Sequence, residues 1–406
     1  MDQNNNNEQF SLTTVDPSDQ DDVDFDVTPS PSVTSSVSYE KYSSSSALMP
    51  QTSATVPSTR SETERHYQLD GNINVINQLE VNQDVLCICY TETYDLLAAG
   101  VSDGNLKLYN VNSEENTNAT LTLCDAEMMQ NPAPVTAVKH RPVQKTHPIT
   151  HTLIATYANG CVKCWHYPTA QCIYTIREKR QTLGLAYHPQ LPKFVTVGDD
   201  TNLYLYDEET KTRERVFHGS LSPEIMDGHK SRVFSACFHP KSAYEIISAG
   251  WDDTIQFWDT RQAHSLRFIS GVHMCGDGLD ISRNGKEILT CSWQKKDPLQ
   301  LWDYATGKLI VSMEPDSYPC LLYAGKFVTN LYIACGGCDT DLFRIVDLRS
   351  YSTMAMIKYL KNGVYSLDIG PLETKYSKRT ALPKLAFCAG TTIFEVDAQP
   401  APLTTL

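Results

Sequence analysis

The chain has 406 residues, 41% of them apolar and 20% charged, and carries a formal net charge of −14. That length suits one large repeat domain plus a tail, and no apolar run approaches the roughly 18 residues of a membrane-spanning helix. The acid excess argues against direct nucleic-acid binding, which needs a basic stripe for phosphate contact. The two best basic clusters are Arg177, Lys179 and Arg180, then Lys211, Arg213 and Arg215; Glu178 and Glu214 interrupt them, and they read as solvated strand edges.

Residues 1–7 are polar and acidic and lack the basic and apolar segments of a secretory signal. All 13 cysteines fall from Cys87 onward, an odd number at irregular spacing, so reduced thiols in the cytoplasm and/or nucleus are expected. Residues 1–64 hold eleven acidic and two basic side chains among Asn, Ser, Thr and Pro, the composition of a disordered acidic tail. Thr28-Pro29 and Ser30-Pro31 are the steps proline-directed kinases favour, and phosphate there would deepen the negative charge.

From about residue 65 to 397 a pattern recurs. First-strand units align at 135–142, 182–189, 233–240 and 364–371, with a looser copy at 85–92 and weak ones at 277–284 and 318–325. Third strands close at Tyr109-Asn110, Trp165-His166, Tyr206-Asp207, Trp258-Asp259, Trp302-Asp303, Val346-Asp347 and Val396-Asp397. A turn acid or amide precedes the aromatic by six in four copies: Asp103, Asn159, Asp200 and Asp252.

The fourth copy is the clearest. Apolar runs at 233–238, 244–249 and 254–258 are rich in β-branched or aromatic residues and bounded by His239-Pro240, by 250–253 and by Asp259, which makes an antiparallel meander. His229, Ser248, Asp252 and Trp258 recur within it at fixed offsets. The Asp accepts from the His, the His donates onward to the Ser hydroxyl, and the hydroxyl to the Trp backbone or ring; each bond contributes about 0.5–1.5 kcal/mol. A Ser-His-Asp set also suggests a hydrolase, but the Gly-His…Trp-Asp spacing favours a structural brace. That spacing resembles the WD-repeat family. The resemblance implies an all-β, seven-bladed WD-repeat β-propeller with a disordered N-terminal tail. Blades fall at about 85–124, 135–176, 182–217, 229–269, 273–313, 318–357 and 363–397. His273 suits the brace of the fifth.

The seventh copy has no fourth strand of its own, because the 398–406 tail contains two prolines, which forbid a paired interior strand. A spare alternating segment at about 72–81 is expected to complete it and close the ring.

No cofactor or metal is expected. Cys161 and Cys164 lie three apart on a strand and face opposite ways; Cys335-Gly336-Gly337-Cys338 reads as a turn without a second ligand pair. Phosphate-cradling loops and nucleophile elbows are missing from the sequence, so binding rather than catalysis is expected. By the resemblance, the residue before the turn acid is exposed (Ser102, Ala158, Asp199, Trp251) and the residue after the first valine borders the channel (Leu86, Thr136, Leu183, Phe234, Tyr365). Trp251, Phe234, Asp199 and Tyr365 are therefore the candidates for holding a basic or aromatic peptide of a protein partner. Trp258-Asp259-Thr260-Arg261 also resembles the box by which substrate receptors of cullin–RING ubiquitin ligases meet their adaptor, with Val346-Asp347-Leu348-Arg349 as a partial second copy. A nuclear or histone peptide reader is a third alternative.

Overall fold

The computed structural model describes residues 67–111, 119–144, 148–220, 222, 224–372 and 382–400; the tail expected over 1–64 lies outside them. Seven antiparallel sheets are arranged as blades, six of four strands and one of five. The fourth blade shows why. Val233–Phe238, Glu245–Gly250, Thr254–Asp259 and Arg267–Ser270 pair in sequence order, with Ile246 opposite Trp258. The turn between the second and third strands rests on Asp252, whose Oδ1 accepts the N–H and the hydroxyl of Thr254, and on Asp253 at φ 58°, a left-handed position that Asp tolerates.

No blade buries its faces alone. One cluster joins Ile247, Ile255 and Phe257 of the fourth blade to Leu279, Ile281 and Trp302 of the fifth; another joins Val195, Leu205 and Phe217 of the third to Ile246 and Trp258 of the fourth. Stability thus depends on neighbouring blades, as in other repeat stacks.

The ring closes where Ile73–Glu80 pairs with Thr392–Ala398 on the outside of the seventh sheet. Its seam with the first blade is an apolar cluster, Leu79, Ala386 and Ile393 against Val85, Ile88 and Leu97, with one buried polar knot: Glu395 accepts from Asn77 Nδ2 (2.5 Å) and from the Tyr90 hydroxyl (3.1 Å). An unexpected strand, Gln68–Gly71, pairs with Ser352–Lys358 and gives the sixth blade its fifth strand. Four mostly polar residues carry no pattern to announce it. Gly71 (φ 76°) then takes the chain across to the seventh blade; a Cβ there would stand 2.4 Å from the Met354 carbonyl oxygen.

Three expectations are corrected. The sixth copy was aligned four residues early: Leu322, opposite Gly337, holds the place of Val233 opposite Gly250, because Tyr318-Pro319 belongs to the incoming loop. The fifth copy was aligned to close one residue late for a different reason, a first strand shortened to Leu279–Ile281, with Ile281 opposite Ile288 as Phe238 is opposite Ile246. Cys335 and Cys338 lie on the strand Tyr332–Cys338, not on a turn, so residues three apart again face opposite ways. Among the described residues no group of three or more His, Cys, Asp or Glu is placed to hold a metal, and no helix is long and apolar enough to cross a membrane.

Candidate functional site: an aromatic arc at the narrow channel mouth

In six blades the first strand slips by one residue at the same place. The register breaks fall between Val85 and Cys87, Val135 and Ala137, Thr182 and Gly184, Val233 and Ser235, Leu322 and Ala324, and Val364 and Ser366. Each skipped residue belongs to a β-bulge, which re-aims a side chain away from the regular pleat. These residues (Leu86, Thr136, Leu183, Phe234, Tyr323 and Tyr365) line a cavity of about 260 Å³ at one mouth of the central channel. In the first four blades and the seventh, the residue after the leading position is therefore at the rim.

The rim is aromatic over the fourth to seventh blades. Ring centroids run from Phe234 to Trp251 (5.5 Å), His273 (6.0 Å), Trp293 (6.3 Å), Tyr323 (6.3 Å) and Tyr365 (5.2 Å), each distance taken from the ring before. Trp251 is 39% exposed, whereas Phe234, Trp293, Tyr323 and Tyr365 are half-buried. Burial pushes the Tyr323 and Tyr365 phenols above their ordinary range, so both present a neutral O–H. His273 was expected to brace the fifth blade. Instead its Nδ1 meets Asp253 Oδ1 of the fourth at 2.6 Å, which fixes the imidazole in the arc. Trp293 occupies the fifth-blade place of Trp251, two positions past the partner of a third-strand residue; that equivalence would have found it once the irregular 294–296 loop was set aside.

Asp199 holds the corresponding place in the third blade. It is half-buried and accepts the Gln181 N–H at 2.9 Å. The charged group stacked on Trp251 is not this carboxylate but Arg232, with Cζ 4.7 Å from the ring centroid. Ser102 and Ala158 are half-buried rather than exposed.

Under the arc, the fourth blade is braced as a continuous chain. Asp252 Oδ2 meets His229 Nδ1 at 2.9 Å, His229 Nε2 meets Ser248 Oγ at 2.7 Å, and Trp258 Nε1–H donates to Ser248 Oγ at 2.8 Å. The last two bonds run opposite to expectation: an indole N–H only donates, and a neutral imidazole that gives its one N–H to a carboxylate can only accept at the other nitrogen. With Nδ1–H given to Asp252, Nε2 accepts the serine proton and every member is satisfied. Burial pushes the Asp252 carboxyl up, but hydrogen bonds from His229, Lys230 N–H and Thr254 outweigh it and hold the group below the usual range. His229 and Ser248 are sealed from solvent, so the set braces the blade and is closed to a substrate.

The third blade does the same with ions. Arg180, expected at a solvated edge, is buried. It bonds Glu178 Oε2 (2.7 Å), Asp200 Oδ1 (2.6 Å) and the Thr196 hydroxyl (2.9 Å), while Glu178 Oε1 accepts from Thr196 (2.6 Å) and Tyr206 (2.8 Å).

Far from the arc, Arg261 lies on the turn after the fourth blade's third strand. It grips its own Asp259 through Nε (2.9 Å) and an η nitrogen (2.6 Å) and covers Tyr244, with Cζ 4.3 Å from the ring centroid. Arg349 repeats the arrangement with Asp347 and the Tyr332 hydroxyl.

Comparison with known proteins adds the following. The family model "WD domain, G-beta repeat" matches residues 74–110 and 222–259, and each match ends where a third strand ends. Among similar proteins are periodic tryptophan protein 2 of Arabidopsis thaliana (25% identical, over 57% of this chain and 23% of that protein) and pre-mRNA-processing factor 19 of Bos taurus (25%, over 40% and 30%). A third is the ribosome biogenesis protein WDR12 homolog of Anopheles gambiae (22%, over 51% and 46%). The matched part of the chain spans less than half the length of each.

Proposed function

The chain belongs to the WD-repeat family of β-propellers, and from that premise we propose that it is a non-enzymatic interaction platform holding a peptide segment of a protein partner on the Phe234-to-Tyr365 arc. One observation carries this reading: six rings in unbroken contact, on bulges and turns of four adjacent blades, with the exposed Trp251 among them. Aromatic anchors supply large contact area at low entropic cost, and they dominate interface energetics. The relatives' names span ribosome biogenesis, pre-mRNA processing and a coatomer subunit; what they share with this chain is the repeat. Ribosome biogenesis recurs among them, which supports including the nucleus beside the cytoplasm as a place of action. A displayed-peptide selection against the purified chain tests the reading. Wild type should enrich a sequence motif that Trp251→Ala fails to enrich; enrichment of the same motif by the variant would refute it.

The adaptor reading of Trp258, Asp259 and Arg261 ranks second, because the Arg261 guanidinium already serves a local cap that Arg349 duplicates. Retention of a ubiquitin-ligase adaptor by wild type and its loss in Arg261→Ala would reverse that ranking.

A further inference from the structure

The opposite, wider mouth of the channel has a charge pattern that the peptide-binding reading does not use. Three residues past the rim position in six blades, and at the same register level in the fifth, the first strand brings one side chain to the channel: Cys89, Lys139, Ala186, Cys237, Asp280, Lys326 and Asp368. All seven line a cavity of about 590 Å³. In the fifth blade Cys275 takes the rim place, and Asp277, two residues further in, lines both mouths.

Among these seven positions and Asp277 the charges pair off with one left over; Glu92, also on the cavity wall, accepts from Thr150 and from the His151 N–H. Lys139 Nζ of the second blade meets Asp277 Oδ2 of the fifth at 2.8 Å, and Lys326 Nζ meets Asp368 Oδ1 at 2.9 Å. Asp280 has no ion pair among the described residues. Its oxygens receive the backbone N–H groups of Phe327 (2.8 Å) and Ile281 (2.9 Å) and, more weakly, the Cys237 thiol (4.0 Å). The charged groups facing it are Lys326, already bonded to Asp368, and Asp277, which opposes it. Burial pushes the Asp280 carboxyl up to about 6, so it is still ionised near neutral pH and has no counter-ion of its own. Ala186 and the two cysteines leave space in front of it, and Leu185, Phe238 and Leu279 give the cavity an apolar wall.

We infer that the wide mouth binds a linear primary ammonium group, with Asp280 as its counter-ion and the apolar wall covering its alkyl chain. The ammonium comes from a free diamine or from a lysine side chain of a partner. Asp280 is half-buried; a carboxylate partly withdrawn from water without a cation is costly, and a ligand that supplies one recovers that cost.

Titration calorimetry on the full chain tests this with 1,4-diaminobutane and, separately, with N-acetyl-lysine amide. Binding of at least one probe is expected at pH 7.5, about tenfold weaker at pH 5.0 as Asp280 takes up a proton, and absent in Asp280→Asn. The probe that binds identifies the source. Ala186→Phe keeps the carboxylate but fills the space before it and should also abolish binding. Failure of both probes with wild type, or equal binding by Asp280→Asn or by Ala186→Phe, would overturn the assignment.

Discussion

The third and fourth blades secure the same turn with different chemistry. In the fourth, Asp252, His229, Ser248 and Trp258 form a chain of hydrogen bonds. In the third, Thr196 and Tyr206 hold the places of Ser248 and Trp258, and Glu178 with Arg180 replaces the histidine. The contrast extends to the surface, where the fourth blade shows Trp251 and the third Asp199. A blade needs its turn tied to its incoming loop, but the fold does not dictate by what; the residue exposed above the tie is then free to serve binding.

The largest effect should come from the ionic version. Glu178 and Arg180 side chains are 1% and 2% exposed, so Glu178→Gln takes one of two carboxylates from a buried guanidinium, Asp200 remaining, and should cost about 3 kcal/mol in urea unfolding, the low end for a broken buried pair. Replacing both by apolar residues should cost less than the single change. Ser248→Ala in the fourth blade should cost about 1–3 kcal/mol, because it leaves the Trp258 N–H and the His229 nitrogen unsatisfied. A loss in the fourth blade equal to that in the third would break the comparison.

Acidity sharpens it. The Asp252 carboxyl is held below its ordinary value in the fold. Its contribution is therefore fully present above the unfolded carboxylate value of about 3.9 and is lost as pH falls through the lower folded value. The stability gap between wild type and Asp252→Asn should be widest near neutrality and shrink below about pH 4. A gap that grows on acidification would contradict the hydrogen-bond account. Smallest of all, Trp251→Ala should shift unfolding by no more than about 0.5 kcal/mol, since the ring caps no core cluster.

What was readable in the sequence follows the same divide. The fourth blade announces itself because its brace uses residue types at fixed offsets. The third hides its brace because Glu178 and Arg180 arrive from a differently built loop and look like surface charge. The pairing of Ile73–Glu80 with Thr392–Ala398 was approachable from one spare alternating segment and the tail prolines. Gln68–Gly71 was not, having neither length nor alternation. Of the arc, Phe234, Trp251 and Tyr365 stood at recognisable positions, whereas Tyr323 was lost to the four-residue slip in the sixth copy, and Trp293 to an irregular turn. Bulges decide which residue reaches the rim, and a bulge leaves no mark in composition or period.

The most direct test of the account is calorimetric affinity for a peptide selected on the wild-type chain, measured with wild type, Trp251→Ala and Trp293→Ala. The arc predicts that each substitution weakens binding by about 2 kcal/mol or more, roughly thirtyfold, while the unfolding midpoint of Trp251→Ala stays in place. Unchanged affinity in both variants would place the partner elsewhere on the propeller.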